Sequence, residues 1–217
     1  DGGRILTTGG VLEPLDEAVV WSLAEAAPVA TVINGATTSV IGVNPLGDVI
    51  LIQEMAGVVS ASRLSFGIVG VPTEIIAYVD PKDGGAYAVL LSGGKVTVGR
   101  IHDGGGFSGL AVSDLPGMAP AIVDHAAVFF SADGRVLIAG TDASGDLILY
   151  YQGDLVPATG GYFWGSSNLT EAHLAARGQL FEPVASGVAG FSTRWGTDHI
   201  AYLDAQGRIQ IVWWAPG

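Results

Sequence analysis

Four short apolar strands, each entered through a tight glycine turn, recur along this chain: Gly47-Asp48-Val49-Ile50-Leu51, Gly94-Lys95-Val96-Thr97-Val98, Gly145-Asp146-Leu147-Ile148-Leu149 and Gly207-Arg208-Ile209-Gln210-Ile211. Their turn glycines stand 47, 51 and 62 residues apart. A second turn lies 10 to 12 residues upstream of each, at Asn34-Gly35, Asp83-Gly84, Asp133-Gly134 and Gly196-Thr197, and between the two turns sits an apolar strand such as Val136-Leu137-Ile138-Ala139 or His199-Ile200-Ala201-Tyr202-Leu203. A repeat of this length made of short strands cannot bury its apolar faces alone, so neighbouring units must cover one another. Asn-Gly and Asp-Gly suit the type I′ turn, where both central residues need positive φ, so three of the four upstream turns read as two-residue hairpin tips.

An alternating strand precedes each upstream turn: Val29-Ala30-Thr31-Val32-Ile33, Ile75-Ile76-Ala77-Tyr78-Val79, Ala127-Val128-Phe129-Phe130 and Gly190-Phe191-Ser192. Earlier still come short segments with Trp or Leu anchors, namely Val20-Trp21-Ser22-Leu23, Ser62-Arg63-Leu64, Leu110 to Leu115, and Phe163-Trp164 running to Asn168-Leu169-Thr170. Read as the fourth strand of each unit, they complete four antiparallel strands per repeat, which is what a propeller blade requires. The expected fold class is therefore all-β, a β-propeller of about four four-stranded blades, either closed within 217 residues or belonging to a larger ring. A single domain is expected, with units at roughly 17–57, 58–105, 106–155 and 160–217 and an extra N-terminal strand within 1–16, where Gly3-Arg4-Ile5-Leu6-Thr7-Thr8 resembles a blade's last strands. The extra length of the fourth unit lies at 171–189, and the run from Leu169 to Ala176 predicts a short helix with Thr170 as its cap.

Composition narrows the function classes. Hydrophobic residues make up 49% of the chain and charged residues only 14%, so enough apolar surface exists to offset conformational entropy and the disordered class is excluded. The formal charge is −12 with two lysines, Lys82 and Lys95, so a nucleic-acid backbone would be repelled and nucleic acid is not an expected partner. No cysteine is present, which removes disulfides, thiolate metal sites and thiol nucleophiles and is neutral about compartment. No apolar run reaches the roughly 18 residues of a membrane helix. The opening residues Asp1-Gly2-Gly3-Arg4 lack the basic start of a leader peptide, so an exported form would carry its leader in a longer precursor.

The fourth unit carries Trp164, Asn168-Leu169-Thr170, His199-Ile200-Ala201-Tyr202-Leu203-Asp204 and Gly207-Arg208-Ile209-Gln210-Ile211-Val212-Trp213-Trp214. This unit resembles a bacterial repeat of the pattern W-x-x-x-D-L-T followed by H-V-x-Y and D-G-H-I-x-E-L-W-W, similar to the repeats of tachylectin-like and fucose-lectin-like propellers. The resemblance implies a propeller that binds sugar between adjacent blades, outside the cell or at its surface. Asn168 stands where that pattern has Asp. The two aromatics after the last strand, Trp213 and Trp214, become Tyr151 and Gln152, Arg100 and Ile101, and Gln53 and Glu54 in the other units, so a ring of identical sites is not implied.

A sugar site wants an aromatic platform for the apolar face of a pyranose and planar polar groups for its hydroxyls. Trp195, Trp213, Trp214, Tyr151 and Arg100 are the candidate ligand-binding residues. Aromatics at the end of a blade's last strand also serve to fill the space between blades. Each histidine stands on or near an acid, in His102-Asp103, Asp124-His125, Glu171 with His173 and Asp198-His199, but no His-Glu-x-x-His or Gly-x-Ser-x-Gly pattern supports catalysis. The acidic turns Asp142 to Asp146 and Asp80 to Gly84 lack the full ligand spacing of a calcium loop, and Asp103-Gly104-Gly105-Gly106 lacks the Lys and Ser/Thr of a phosphate loop. The expectation is a non-catalytic binding module with no cofactor and no metal, recognising carbohydrate or a glycoconjugate. The competing expectation is a protein-interaction domain of a larger secreted or particle-bound complex; a homo-oligomer is compatible with both.

Overall fold

The computed structural model describes residues 11–12, 23–64, 70–156 and 161–215. They divide into two compact units, Asp1–Ala111 and Val112–Gly217.

In the first unit, β1 (Val11–Leu12) pairs in parallel with β5 (Val58–Leu64), the last strand of an antiparallel meander formed with β2 (Val29–Asn34), β3 (Thr37–Val43) and β4 (Val49–Met55). The second sheet is the meander β6 (Glu74–Val79), β7 (Ala86–Ser92), β8 (Lys95–His102) and β9 (Gly106–Ala111). One face of the first sheet, carrying Val32, Ile41, Val49 and Leu51, packs on Ile75, Ala86, Ala88 and Leu90 of the second. Each fully buried aliphatic side chain there is worth roughly 1.5–3 kcal/mol.

The second unit opens with a short 3-10 turn at Val112–Asp114. Its first sheet, the third of the chain, is the meander β10 (Asp124–Phe130), β11 (Val136–Thr141), β12 (Leu147–Val156) and β13 (Gly161–Asn168). Helix α1 (Leu169–Arg177) leads to the fourth sheet, β14 (Ser186–Ser192), β15 (Asp198–Leu203) and β16 (Ile209–Trp214). Phe129, Leu137, Ala139, Leu147 and Leu149 of the third sheet pack on Ile200 and Tyr202 of the fourth, with Val212 and Trp214 alongside. Gly190 makes this approach possible, since a Cβ there would stand 2.0 Å from the Phe129 ring. Four antiparallel sheets in this order are the all-β fold class of a β-propeller.

The strand assignments differ from the sequence reading in one respect. The segments expected to open a unit instead close the preceding sheet: Arg63 and Leu64 pair with Ile50 and Val49, Leu110 and Ala111 pair with Val98 and Thr97, and Trp164 to Asn168 pair with residues of β12. The reason is local. The loop Ala56-Gly57 has φ of 52° and 82°, so the chain reverses there and sequence-adjacent strands pair at once. Of Val20-Trp21-Ser22-Leu23 only Leu23 is described, and the N-terminal strand at residues 3–8 lies outside the described residues.

The hairpin tips also differ. Of the Asn-Gly and Asp-Gly pairs only Gly35 sits in a two-residue loop, Asn34 pairing with Thr37. Asp83-Gly84 and Asp133-Gly134 belong to longer connections. Five turns instead share a pattern of Asn, Asp, Ser or Thr followed three residues later by Gly: 44–48, 131–135, 142–146, 193–197 and 204–208. In each, the Gly N–H donates to the carbonyl of the first residue. In 142–146 the Asp142 carboxylate also accepts from the N–H of Ser144 at 2.8 Å and of Asp146 at 2.9 Å, so the side chain substitutes for a missing backbone acceptor. The fourth position needs a left-handed φ, 85° at Gly145, which a side chain would resist.

The helix forms where its propensity predicts, but its cap is Asn168, whose Oδ1 accepts the Glu171 N–H at 3.0 Å. Thr170 does different work: its Oγ1 accepts the Leu147 N–H at 2.9 Å and ties the helix to β12. Asn168 also donates through Nδ2 to Asp146 at 2.9 Å, a bond an aspartate could not make.

Candidate functional site

In the second unit, a cleft of about 720 Å³ opens where the third sheet meets the fourth. Its floor is apolar, with Leu137, Leu149 and Leu169. Tyr151, Trp195 and Trp214 supply aromatic surface, and Ser131, Asp133, Arg135, Ser167 and Asp198 supply polar groups.

Each of these side chains has a backbone reason for its position. Tyr151 is on β12 opposite Gly165 of β13, and a Cβ on Gly165 would come 2.4 Å from the ring, so glycine is what lets the ring lie across the neighbouring strand. Trp195 occupies the third position of the turn 193–197 and is 76% exposed, with the Arg194 guanidinium 4.9 Å from its ring centroid. Trp214 is the last residue of β16 and is half-buried against the core of the unit.

Polar groups at the rim are held by short contacts. Arg135 Nε donates to Asp133 Oδ2 at 2.7 Å, and the Ser131 hydroxyl donates to the other Asp133 oxygen. The Ser131 bond, joined by the contacts to Arg135, outweighs the cost of burial and holds the Asp133 carboxyl below the usual carboxylate range. Arg135 Nη2 also lies 3.8 Å from Asp154. Asp198 is buried, and the Ser192 hydroxyl stands between its carboxylate, at 2.5 Å, and the Phe130 carbonyl, at 2.7 Å, which links the third and fourth sheets.

Three of the five residues singled out from sequence, Tyr151, Trp195 and Trp214, thus line one cleft. The other two do not. Trp213 alternates to the opposite face of β16, is 64% exposed and forms a ladder with Phe191 and His199. Arg100 belongs to the first unit, where it pairs with Asp83 at 3.4 Å and stands 5.9 Å over the Tyr87 ring. Asp133, Arg135 and Asp198 were missed; the signal available was the turn pattern itself, which sets residues 133, 135 and 195 at the ends of β10–β11 and β14–β15.

The position of Tyr151 is repeated at Gln53, since each lies six residues after its turn glycine, but the first unit uses it differently. Gln53 Oε1 accepts the Gly105 N–H at 2.5 Å, its Nε2 donates to Ser39, and Ser62 donates to the Gly105 carbonyl at 2.6 Å. The turn at 103–105 therefore sits against the first sheet where the second unit has its cleft.

The histidines have local partners: His102 with Ser108 at 2.7 Å, His125 beside Asp124 at 3.6 Å, His173 stacked on Phe181 and His199 on Phe191. Among the described residues no three His, Asp or Glu side chains gather as a metal site would need, and no helix is long and apolar enough to cross a membrane.

No family model and no curated protein matches this chain. Solved structures do. AofleA from Arthrobotrys oligospora, in a triple arginine-to-alanine variant, superposes with a TM-score of 0.57 at 11% identity, covering 88% of this chain and 54% of that one. SapL1 lectin in complex with alpha methyl fucoside superposes with a TM-score of 0.54 at 14% identity, covering 90% of this chain and 63% of that one. The chain therefore spans between about half and two thirds of the length of these proteins, and at such identity the likeness is one of fold.

Proposed function

We propose that this chain is a non-catalytic carbohydrate-binding module acting outside the cell or at its surface, with the cleft of the second unit as its site. The observation that carries this reading is the convergence of Tyr151, Trp195 and Trp214 with Asp133, Arg135 and Asp198 around one opening. A pyranose has an apolar face of C–H groups and an equatorial belt of hydroxyls. The exposed indole of Trp195 offers area to the first, and the fixed Asp133–Arg135 pair offers one acceptor and one planar donor to the second. The fold likeness to a lectin solved with alpha methyl fucoside supports the same ligand class.

A glycan array, followed by calorimetry on any hit, tests it. Wild-type protein should bind, and Trp195→Ala and Tyr151→Ala proteins with unchanged circular dichroism should lose at least tenfold in affinity, as expected when about 1.4 kcal/mol or more of stacking is removed. Trp213→Ala and Arg100→Ala should bind like wild type. A blank array from folded protein removes the proposal.

A second reading, a protein-assembly module, is favoured by one observation, the apolar outward face of the fourth sheet, with Phe191, Ile209, Ile211 and Trp213 exposed.

A further inference from the structure

Resting on the carbohydrate reading, we infer that the cleft of the second unit is reserved for uncharged sugars and that Asp133 sets this selectivity by neutralising Arg135. A sugar that carries a carboxylate, such as a uronic acid, is held well only where a cation meets it with its charge unspent. Among the described lining residues Arg135 is the cation. Its charge is already met: Nε donates to Asp133 Oδ2 at 2.7 Å, and Nη2 lies 3.8 Å from Asp154. Asp133 is fixed in turn by the Ser131 hydroxyl, which donates to its other oxygen. Local sequence supplies this clasp. Ser131, Asp133 and Arg135 alternate along one five-residue turn, closed where the Gly134 N–H donates to the Ser131 carbonyl, so the turn itself brings the three side chains together.

The rest of the wall adds to the effect. Asp198 is buried there with the neutral Ser192 hydroxyl as its hydrogen-bond partner. The lining thus sets two carboxylates, Asp133 and Asp198, against one guanidinium. The Ser131 bond keeps Asp133 below the usual carboxylate range, so it stays charged at neutral pH. An arriving carboxylate would have to draw Arg135 away from Asp133 and leave that acid uncompensated, over an apolar floor that screens charge poorly. A neutral hydroxymethyl group at the same place meets no such cost, because each Asp133 oxygen keeps a lone pair with which to accept its hydroxyl. Fixed like charge of this kind gives a site discrimination that attractive contacts alone do not supply.

A glycan array of matched pairs tests this, each pair built on the same ring with methyl or hydroxymethyl at C6 in one member and carboxylate in the other. Wild-type protein should bind neutral members at least tenfold more tightly than their acidic partners. Asp133→Asn keeps an oxygen for the Ser131 hydroxyl but frees the Arg135 charge, and should shift that ratio at least tenfold toward the acid. Adding Arg135→Gln to Asp133→Asn should remove the gain, while Asp48→Asn, which breaks an ion pair of the first unit, should keep the wild-type ratio. A second measurement needs no variant: at an ionic strength of about 1 M, where charges are screened beyond about 3 Å, the wild-type gap should narrow. Acidic members that bind as well as neutral ones, a gap that salt leaves unmoved, or a folded Asp133→Asn protein with the wild-type ratio overturns this inference and leaves the carbohydrate reading standing. A blank array overturns both.

Discussion

Tyr151 lies across β13 directly over Gly165, its register partner, with no room for a methyl group between them. The ring reaches the cleft because the neighbouring strand has no side chain at that point.

Gly165→Ala should therefore push the Tyr151 ring aside and strain β12 against β13. Overpacking of this kind costs about 1–3 kcal/mol. Urea unfolding should show that loss, and any glycan bound by wild type should bind more weakly to the variant.

Asp204 anchors the turn 204–208. Burial by itself would raise its pKa, but hydrogen bonds from the Arg208 N–H, the Gln210 amide, the Arg208 guanidinium and the Gln206 N–H outweigh it and hold the carboxyl at about 2, below its ordinary 3.8. A folded-state pKa below the unfolded one adds stability that is complete above the unfolded value and is lost as pH falls from about 3.8 through about 2. Asp204→Asn keeps an acceptor for the two backbone N–H groups, as Asn44 does in the turn 44–48, but loses the charged contacts. The variant should be less stable at neutral pH, and its unfolding midpoint should depend less on pH between 4 and 2 than that of wild type.

Asn168→Ala removes the cap of α1 and the bond to Asp146 together. Caps of this kind contribute about 1 kcal/mol. Chemical denaturation should report a loss of that size or somewhat more, whereas Asn168→Asp should keep the cap but replace the Asp146 bond by repulsion between two carboxylates.

The Tyr150 ring is fully buried and its hydroxyl lies 3.1 and 3.0 Å from the carbonyls of Ala119 and Pro120. Burial pushes its pKa up to about 12 from 10.0. The neutral phenol is what the folded state holds, so its contribution is complete below pH 10 and fades as pH rises toward 12. Tyr150→Phe should cost about 1 kcal/mol at neutral pH, and thermal melts between pH 10 and 12 should converge with those of wild type.

The alternation of Val, Ile and Leu with small polar residues, punctuated by glycine turns, was enough to place the first three strands of every sheet, because period-two patterning and positive-φ turns act over only a few residues. The helix at 169–177 was legible for the same reason. Its cap was not, since Asn168 and Thr170 are both competent caps and only their neighbours, Glu171 and Asp146 for one and Leu147 for the other, divide the work. The strand that closes each sheet is not legible in the same way, since its residues read equally well as the opening of the next unit. A strand's partner is chosen by the loop before it, and Ala56-Gly57 carries a weaker signal than Asn-Gly.

The candidate residues show the same division. That Tyr151, Trp195, Trp213 and Trp214 carry large apolar area follows from residue type alone. Which of them meet is decided by the pleat, which turns Trp214 toward Tyr151 and Trp195 and turns Trp213 away. The sealing of the equivalent position at Gln53 rests on a hydrogen bond to Gly105, 52 residues along the chain. Local sequence set the strands and turns because their energetics are local; the cleft belongs to the tertiary structure because it depends on which sheet covers which.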